Sequence, residues 1–158
     1  MKKSYNRKMI YAVKHLMNES GEKIIGFTCP DEIMLQTKNE DVATTCTILS
    51  KNGSRILLIN FDPEFSAEFE FINVPVTEDA CSYDFATALK DVDMEQYDKI
   101  LINLCPIQHR EYLLERSLSV KEVVLCIKYG VTAYTHFEKA MDLLRQNDMK
   151  LIGTLAHQ

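Results

Sequence analysis

Residues 54–64 read SRILLINFDPE, and the fold turns on this stretch. Four aliphatic residues, Ile56 to Ile59, follow Gly53 and Arg55 without a polar interruption, and the run ends on Asn60, Phe61 and Asp62. A strand with one face in water alternates apolar and polar residues; an unbroken apolar run has no wet face and is covered on both sides. Three further runs have the same character: KIIGFTC (23–29), DKILINLC (98–105) and EVVLCIKYG (122–130). KLIGTLA (150–156) closes the chain as another strand, and FEFINVPV (69–76) is a weaker extended segment.

Helical patterns fill the intervals. Tyr5, Met9, Ala12, Val13, Leu16 and Met17 recur at helical spacing and stop at Ser20-Gly21. Thr37 and Glu40 have the spacing of a capping box. The helix they would open has Val42, Cys46 and Leu49 on its apolar face and ends at Asn52-Gly53. Helices are predicted over 81–94 and 109–118. AYTHFEKAMDLLRQND is a further helix, with Phe137, Ala140, Met141 and Leu144 on one stripe. Strands buried on both faces and alternating with helices predict an α/β fold: a mostly parallel sheet with helices on both faces, in three layers. Residues 1–158 then form a single domain, an N-terminal helix (1–22) followed by an α/β core (23–158). Ligands of such sheets bind at the strand carboxyl ends, here Cys29-Pro30, Asn60 to Asp62, Cys105-Pro106 and Lys128 to Gly130.

A chain of 158 residues buries roughly 70% of its unfolded surface and folds without staples. Net charge is −5 with 18 scattered basic residues, a balance that argues against nucleic acid. The N-terminus lacks the apolar core of a signal peptide, and no apolar run reaches membrane-spanning length. Five cysteines with no CxxC pair fit reduced thiols in a cytoplasm.

GSRILLINFDPE resembles the second acidic strand of the bacterial tyrosine kinases of capsule and exopolysaccharide synthesis, G-x-x-V-L-L-I-D-x-D. YDKILINLCPI is similar to their Walker B segment, Y-D-Y-I-I-I-D-T-P-P, and residues 122–158 resemble the family's closing strand–helix–strand unit. The resemblance runs from Lys23 onward and implies the P-loop NTPase-like fold of the wider relatives, the MinD/ParA-type ATPases. It also implies where chemistry would lie. The P-loop lysine falls on Lys38, the two acids of the I-D-x-D strand on Asn60 and Asp62, the Walker B acid on Asn103, and the adenine-contacting Asn on His157.

The departures outweigh the matches. A P-loop reads G-x-x-x-x-G-K-[ST], because glycines let backbone N–H groups wrap the phosphates and the hydroxyl binds magnesium. This chain has CPDEIMLQTKNED, with no glycine and Asn39 in the hydroxyl position. Ile33, Met34 and Leu35 crowd the phosphate space, and Asp31, Glu32, Glu40 and Asp41 repel anions from it. Neutral amides at positions 60 and 103 supply no charge to hydrated Mg²⁺ and no base for an attacking hydroxyl. Glu64 stands where the family has Arg, and the tyrosine-rich C-terminal tail is missing. The expectation is therefore a degenerate nucleotide site at Lys38, Asn39, Asn60, Asp62, Asn103 and His157, with no catalytic residue and no cofactor.

Other constellations are weaker. A lysine without its glycine cradle is expected to be a solvated residue in the first turn of a helix, and Asn60 and Asn103 to bond strand-end backbone and each other. Cys29, Cys105 and His109, with Asp62, have metal-ligand spacing, but the set matches no zinc signature and buried thiols are the plainer reading. His15 and His136 are expected at the surface. The leading functional expectation is a catalytically inactive protein-interaction or regulatory module. Its partners, implied by the resemblance, are a membrane polysaccharide co-polymerase, a kinase paralogue or further copies of the chain, with no nucleic acid and no direct membrane insertion. The alternative is an ATPase-like protein that binds a nucleotide or small ligand through an atypical phosphate loop. A third reading, partition-type DNA association through MinD/ParA kinship, is disfavoured by the acidic balance.

Overall fold

All five residues of the strand Ile56–Asn60 (β2) are buried, as an apolar run without a wet face requires. The computed structural model describes residues 7–74, 85–107 and 120–157. Within them, β2 joins Ile24–Thr28 (β1), Ile72–Asn73 (β3), Lys99–Asn103 (β4), Glu122–Lys128 (β5) and Lys150–His157 (β6) in one sheet. The strand order is β3-β2-β4-β1-β5-β6, and every pairing is parallel.

Alternation sends successive side chains into two cores. Leu57, Ile59, Ile100, Ile102, Val123 and Leu125 enter one. Ile56, Leu58, Ile25, Phe27, Leu101 and Val124 enter the other. Arg7–Glu19 (α1) and Leu35–Lys51 (α2) cover the second core, α1 through Val13 and Leu16, α2 through Val42, Cys46, Ile48 and Leu49. Tyr134–Gln146 (α4) covers the first core through Ala140 and Leu144, joined by Ala88 and Leu89 of the short helix Phe85–Leu89 (α3). Helices thus lie on both faces, and the three-layer α/β expectation holds.

Two close approaches are set by glycine. Leu16 of α1 rests on Gly153, beside the register shift between Val123 and Val124 where β6 skips Ile152. Gly26 lets Leu104 and Val120 close over β1. α2 ends as the sequence predicts: Asn52 caps it, Gly53 turns left-handed at φ 89°, and Ser54 N–H returns to Leu49 O at 3.1 Å.

Several boundaries differ from the sequence reading. The capping box at Thr37 and Glu40 does not form. Asp31 instead caps a 3₁₀ turn, Glu32–Met34, which runs directly into α2, so Thr37 already lies inside the helix. The helix predicted over 81–94 shortens to α3 and a separate 3₁₀ turn, Met94–Gln96, with residues 81–84 outside the described residues. The helix predicted over 109–118 also lies outside them. Among the described residues, no helix is long and apolar enough to cross a membrane.

β1 and β4 are neighbours, but the chain leaves β1 toward β2 on one side and leaves β4 toward β5 on the other. This is the switch point of the sheet, where the carboxyl ends of β2, β4 and β1 stand side by side.

Candidate functional site at the strand carboxyl ends

Four backbone and side-chain groups define the turn after β1. Asp31 is extended, and its Oδ1 accepts from Ile33 N–H at 3.1 Å while its carbonyl accepts from Met34 N–H at 3.3 Å. These loop amides therefore bond within the loop. Met34 is buried at 1% exposure and Ile33 is 69% exposed, so one of the three crowding apolar side chains fills the space and another is expelled from it.

Lys38 is not the solvated lysine the sequence reading expects. Lys38 lies four residues before Val42 on the buried face of α2, which points it inward, where its exposure is 0%. Its Nζ lies 3.1 Å from Asp62 Oδ2 and donates to Leu104 O at 2.6 Å. Burying an ammonium is costly unless charge and hydrogen bonds compensate, and here both do. Asp62 is completed by Glu64 N–H, which donates to Oδ1 at 3.0 Å.

Beside the ion pair runs a chain of amides. Asn60 folds onto its own strand end: its Nδ2 donates to Asp62 O at 2.8 Å and its Oδ1 accepts from Asp62 N–H at 3.0 Å. That pairing fixes which way the carboxamide faces. Asn60 Nδ2 also donates to Asn73 Oδ1 at 2.8 Å, linking β2 to β3. Asn103 Nδ2 donates to Asn60 Oδ1 at 2.8 Å and to Asn39 Oδ1 at 3.1 Å. Asn103 is fully buried, and its Oδ1 has no partner among the described residues. Turning the amide over would set oxygen against two oxygens, so the orphan acceptor follows from the network.

His157 and His136, read in the sequence as an adenine-contact position and a surface residue, each meet a buried carboxylate. His157 Nε2 lies 2.8 and 2.9 Å from the two oxygens of Asp41, tying the end of β6 to α2. His136 Nδ1 lies 2.6 Å from Asp31 Oδ2, tying α4 to the loop after β1, although its side chain is 47% exposed. Burial raises the Asp41 carboxyl above its ordinary range despite His157. His15 is exposed.

The four described cysteines, Cys29, Cys46, Cys105 and Cys126, are buried thiols. Cys29 donates to Asp31 O at 3.3 Å, and Cys105 donates to Phe61 O at 3.5 Å. Burial pushes the Cys29 thiol up to about 12, against the pull of Lys38. His109 lies outside the described residues, and among those described no group of three His, Cys, Asp or Glu is arranged to hold a metal ion.

The site thus brings together Lys38, Asn39, Asn60, Asp62 and Asn103, while His157 pairs with the buried Asp41 of α2. Sequence reasoning missed Thr28, whose hydroxyl donates to Cys105 O at 2.7 Å, and the roles of Asp31, Asp41 and Asn73. Asp41 and His157 are 116 residues apart, and no local pattern announces such a pair. At these positions the amides of Ile33 and Met34 bond within the loop, Lys38 is turned inward, and positions 60 and 103 carry amides beside the carboxylate of Asp62.

No protein-family model matches this sequence, and no curated protein sequence matches it. Solved structures do. The chimerical protein CapA2B2 superposes with a TM-score of 0.71 at 14% identity, covering 99% of this chain and 85% of that one. The kinase domain of the Escherichia coli tyrosine kinase ETK gives 0.66 at 14% identity, covering 94% and 74%. The BceF tyrosine kinase domain gives 0.61 at 15% identity, with the same coverage. The fold is that of bacterial tyrosine kinase domains.

Proposed function

We propose that the chain is a nucleotide-free relative of the capsule and exopolysaccharide tyrosine kinases, working in the cytoplasm as a protein-interaction or regulatory module without ATP hydrolysis. The observation that carries this reading is Lys38. In the position of a P-loop lysine it is fully buried and committed to Asp62 and Leu104 O, so the charge that would meet a phosphate is consumed inside the protein. Asn60 and Asn103 support the reading, since they satisfy each other where metal-binding carboxylates would repel. The fold likeness supports the kinship, and the partners that follow from it are a polysaccharide co-polymerase of the membrane, a kinase paralogue or another copy of the chain.

Titration calorimetry and thermal shift with ATP and ADP, each with Mg²⁺, test the proposal. No heat and no stabilisation are expected at millimolar nucleotide. A ligand that binds only the native state raises the melting temperature by mass action. A magnesium-dependent rise of several degrees therefore overturns the proposal in favour of an atypical phosphate loop.

A further inference from the structure

Basic residues occur throughout the chain, but six of the 18 stand in residues 1–23 with only two of the 23 acidic ones, so the remainder is strongly acidic. The described part of that segment is chiefly α1. Val13 and Leu16 anchor its inner face in the core. Arg7, Tyr11, Lys14 and Asn18 recur at helical spacing on the opposite face, flanked by Lys8 and His15. All six are exposed, Tyr11 at 74%. Arg7, Lys8 and Lys14 pair with no carboxylate among the described residues.

The order of charge along α1 is a second observation. A helix is stabilised by acids in its first turn and bases in its last, because its dipole is positive at the start. α1 has no acid in its first turn and no base in its last; Arg7 and Lys8 open it and Glu19 ends it. The cations thus work against the helix that carries them, and no ion pair within the described residues offsets that cost.

Two features of this face favour a lipid surface over other anionic partners. It is the outside of a helix of 13 residues, convex and about 20 Å long, so it meets a plane along its length. Tyr11, at its centre, is an amphipathic ring of the kind that settles at headgroup level. A nucleic acid would also bring its phosphates to the acidic remainder of the chain, which repels them.

We propose that the outer face of α1 rests on an anionic lipid surface, with Arg7, Lys8 and Lys14 on the headgroups and Tyr11 among them. The contact is peripheral, since Val13 and Leu16 stay in the core, and it does not depend on whether the strand ends bind nucleotide.

The test is flotation of the full chain with phosphatidylserine-rich vesicles against phosphatidylcholine vesicles. Each base near an anionic membrane is worth about a fivefold preference, so three give roughly a hundredfold preference at low salt. Salt removes it, because the charges are exposed. Arg7→Gln, Lys8→Gln and Lys14→Gln together abolish the preference. Arg55→Gln, Lys90→Gln and Lys139→Gln, an equal loss of charge at exposed positions elsewhere, leave it in place. The chain has no tryptophan, so Tyr11→Trp sets a single reporter in the face, and its emission shifts to the blue on anionic vesicles only. Thermal melts of the α1 triple variant show an unchanged or raised midpoint, as removing bases from the start of a helix predicts. Absence of flotation with anionic vesicles at low salt, equal flotation with neutral ones, a triple variant that floats like the parent, or an indole emission that does not move overturns the proposal. A lowered midpoint does so too, since the cations then serve the fold. So does stronger competition by duplex DNA or polyglutamate than by anionic vesicles, since the partner is then a nucleic acid or an acidic protein.

Discussion

Replacing Lys38 by methionine keeps most of the side-chain volume and removes one charge from the interior. Asp62, 2% exposed, then loses its cation, and Leu104 O loses the donor held at 2.6 Å. Removing one partner of a buried ion pair costs about 3–5 kcal/mol, because the other charge stays buried without compensation. That is about a fifth or more of the ~5–15 kcal/mol that holds a domain together. The native state of the variant favours the neutral acid at Asp62 and binds more protons than the unfolded chain. Its deficit therefore grows as pH rises and shrinks in acid. Pairing Lys38→Met with Asp62→Asn removes both charges and recovers most of the loss, since replacing a whole buried pair is often nearly neutral. Urea unfolding of parent, both single variants and the double variant, at acid and neutral pH, measures the coupling directly. A Lys38→Met loss below about 1 kcal/mol, independent of pH, is the behaviour of a solvated pair and refutes the burial argument.

Asn60→Asp with Asn103→Asp places two carboxylates 43 residues apart in sequence on an existing 2.8 Å contact. The double variant is expected to be less stable than the parent at neutral pH, increasingly so as pH rises, and still to show no heat with ATP·Mg²⁺. Glu122 accepts from Ser20 Oγ at 2.7 Å, Glu22 N–H at 2.9 Å and Gly21 N–H at 3.1 Å; burial alone raises its carboxyl, but these donors outweigh it and hold it below its ordinary range. Its stabilisation is thus present above the ordinary glutamate range and lost as pH falls through the lowered value, so Glu122→Gln should cost about 1.5–3 kcal/mol at neutral pH and less in acid. Burial holds Cys29 and Cys46 up to about 12 and Cys126 well above its ordinary value, so peptide mapping after iodoacetamide treatment of the native protein should find all three unmodified, with labelling only in denaturant.

Most of the sheet was legible because the cause is local. Unbroken aliphatic runs such as Ile56 to Ile59 have no wet face, and a parallel sheet covered twice is the arrangement that buries them. The end of α2 was equally plain, since Gly53 supplies the left-handed residue the turn needs. The start of α2 was misread because Thr37 and Glu40 match a capping pattern, while Asp31, six residues earlier, captures the nucleus first. Lys38 is buried for another reason: it stands four residues before Val42, on the same face of α2 as Cys46 and Leu49. The amide chain was only half legible: Asn60 and Asn103 stand at strand ends, but Asn73 enters through β3, a two-residue strand with weak sequence support. Asp31 with His136 and Asp41 with His157 are made by tertiary packing alone.

The composition of the site follows from charge balance. Three carboxylates converging on adjacent strand ends repel one another unless a divalent cation joins them, and the resemblance places such acids at positions 60, 62 and 103. This chain keeps one, Asp62, and matches it with one internal cation, Lys38. The other two positions carry amides, each able to donate and accept, so neighbours satisfy each other without a net charge. Any single reversal unbalances the set: an added carboxylate lacks a cation, and a removed lysine strands Asp62. On the proposed reading, no single substitution in this network brings nucleotide binding. A variant that recovers affinity has to rebuild the glycine loop over 30–39 so that Lys38 turns outward, together with both acids, and ATP titration of that loop graft against the two-acid variant separates the two requirements. If the two acids alone bind ATP, the loop after β1 was a working phosphate site and the charge-balance argument fails.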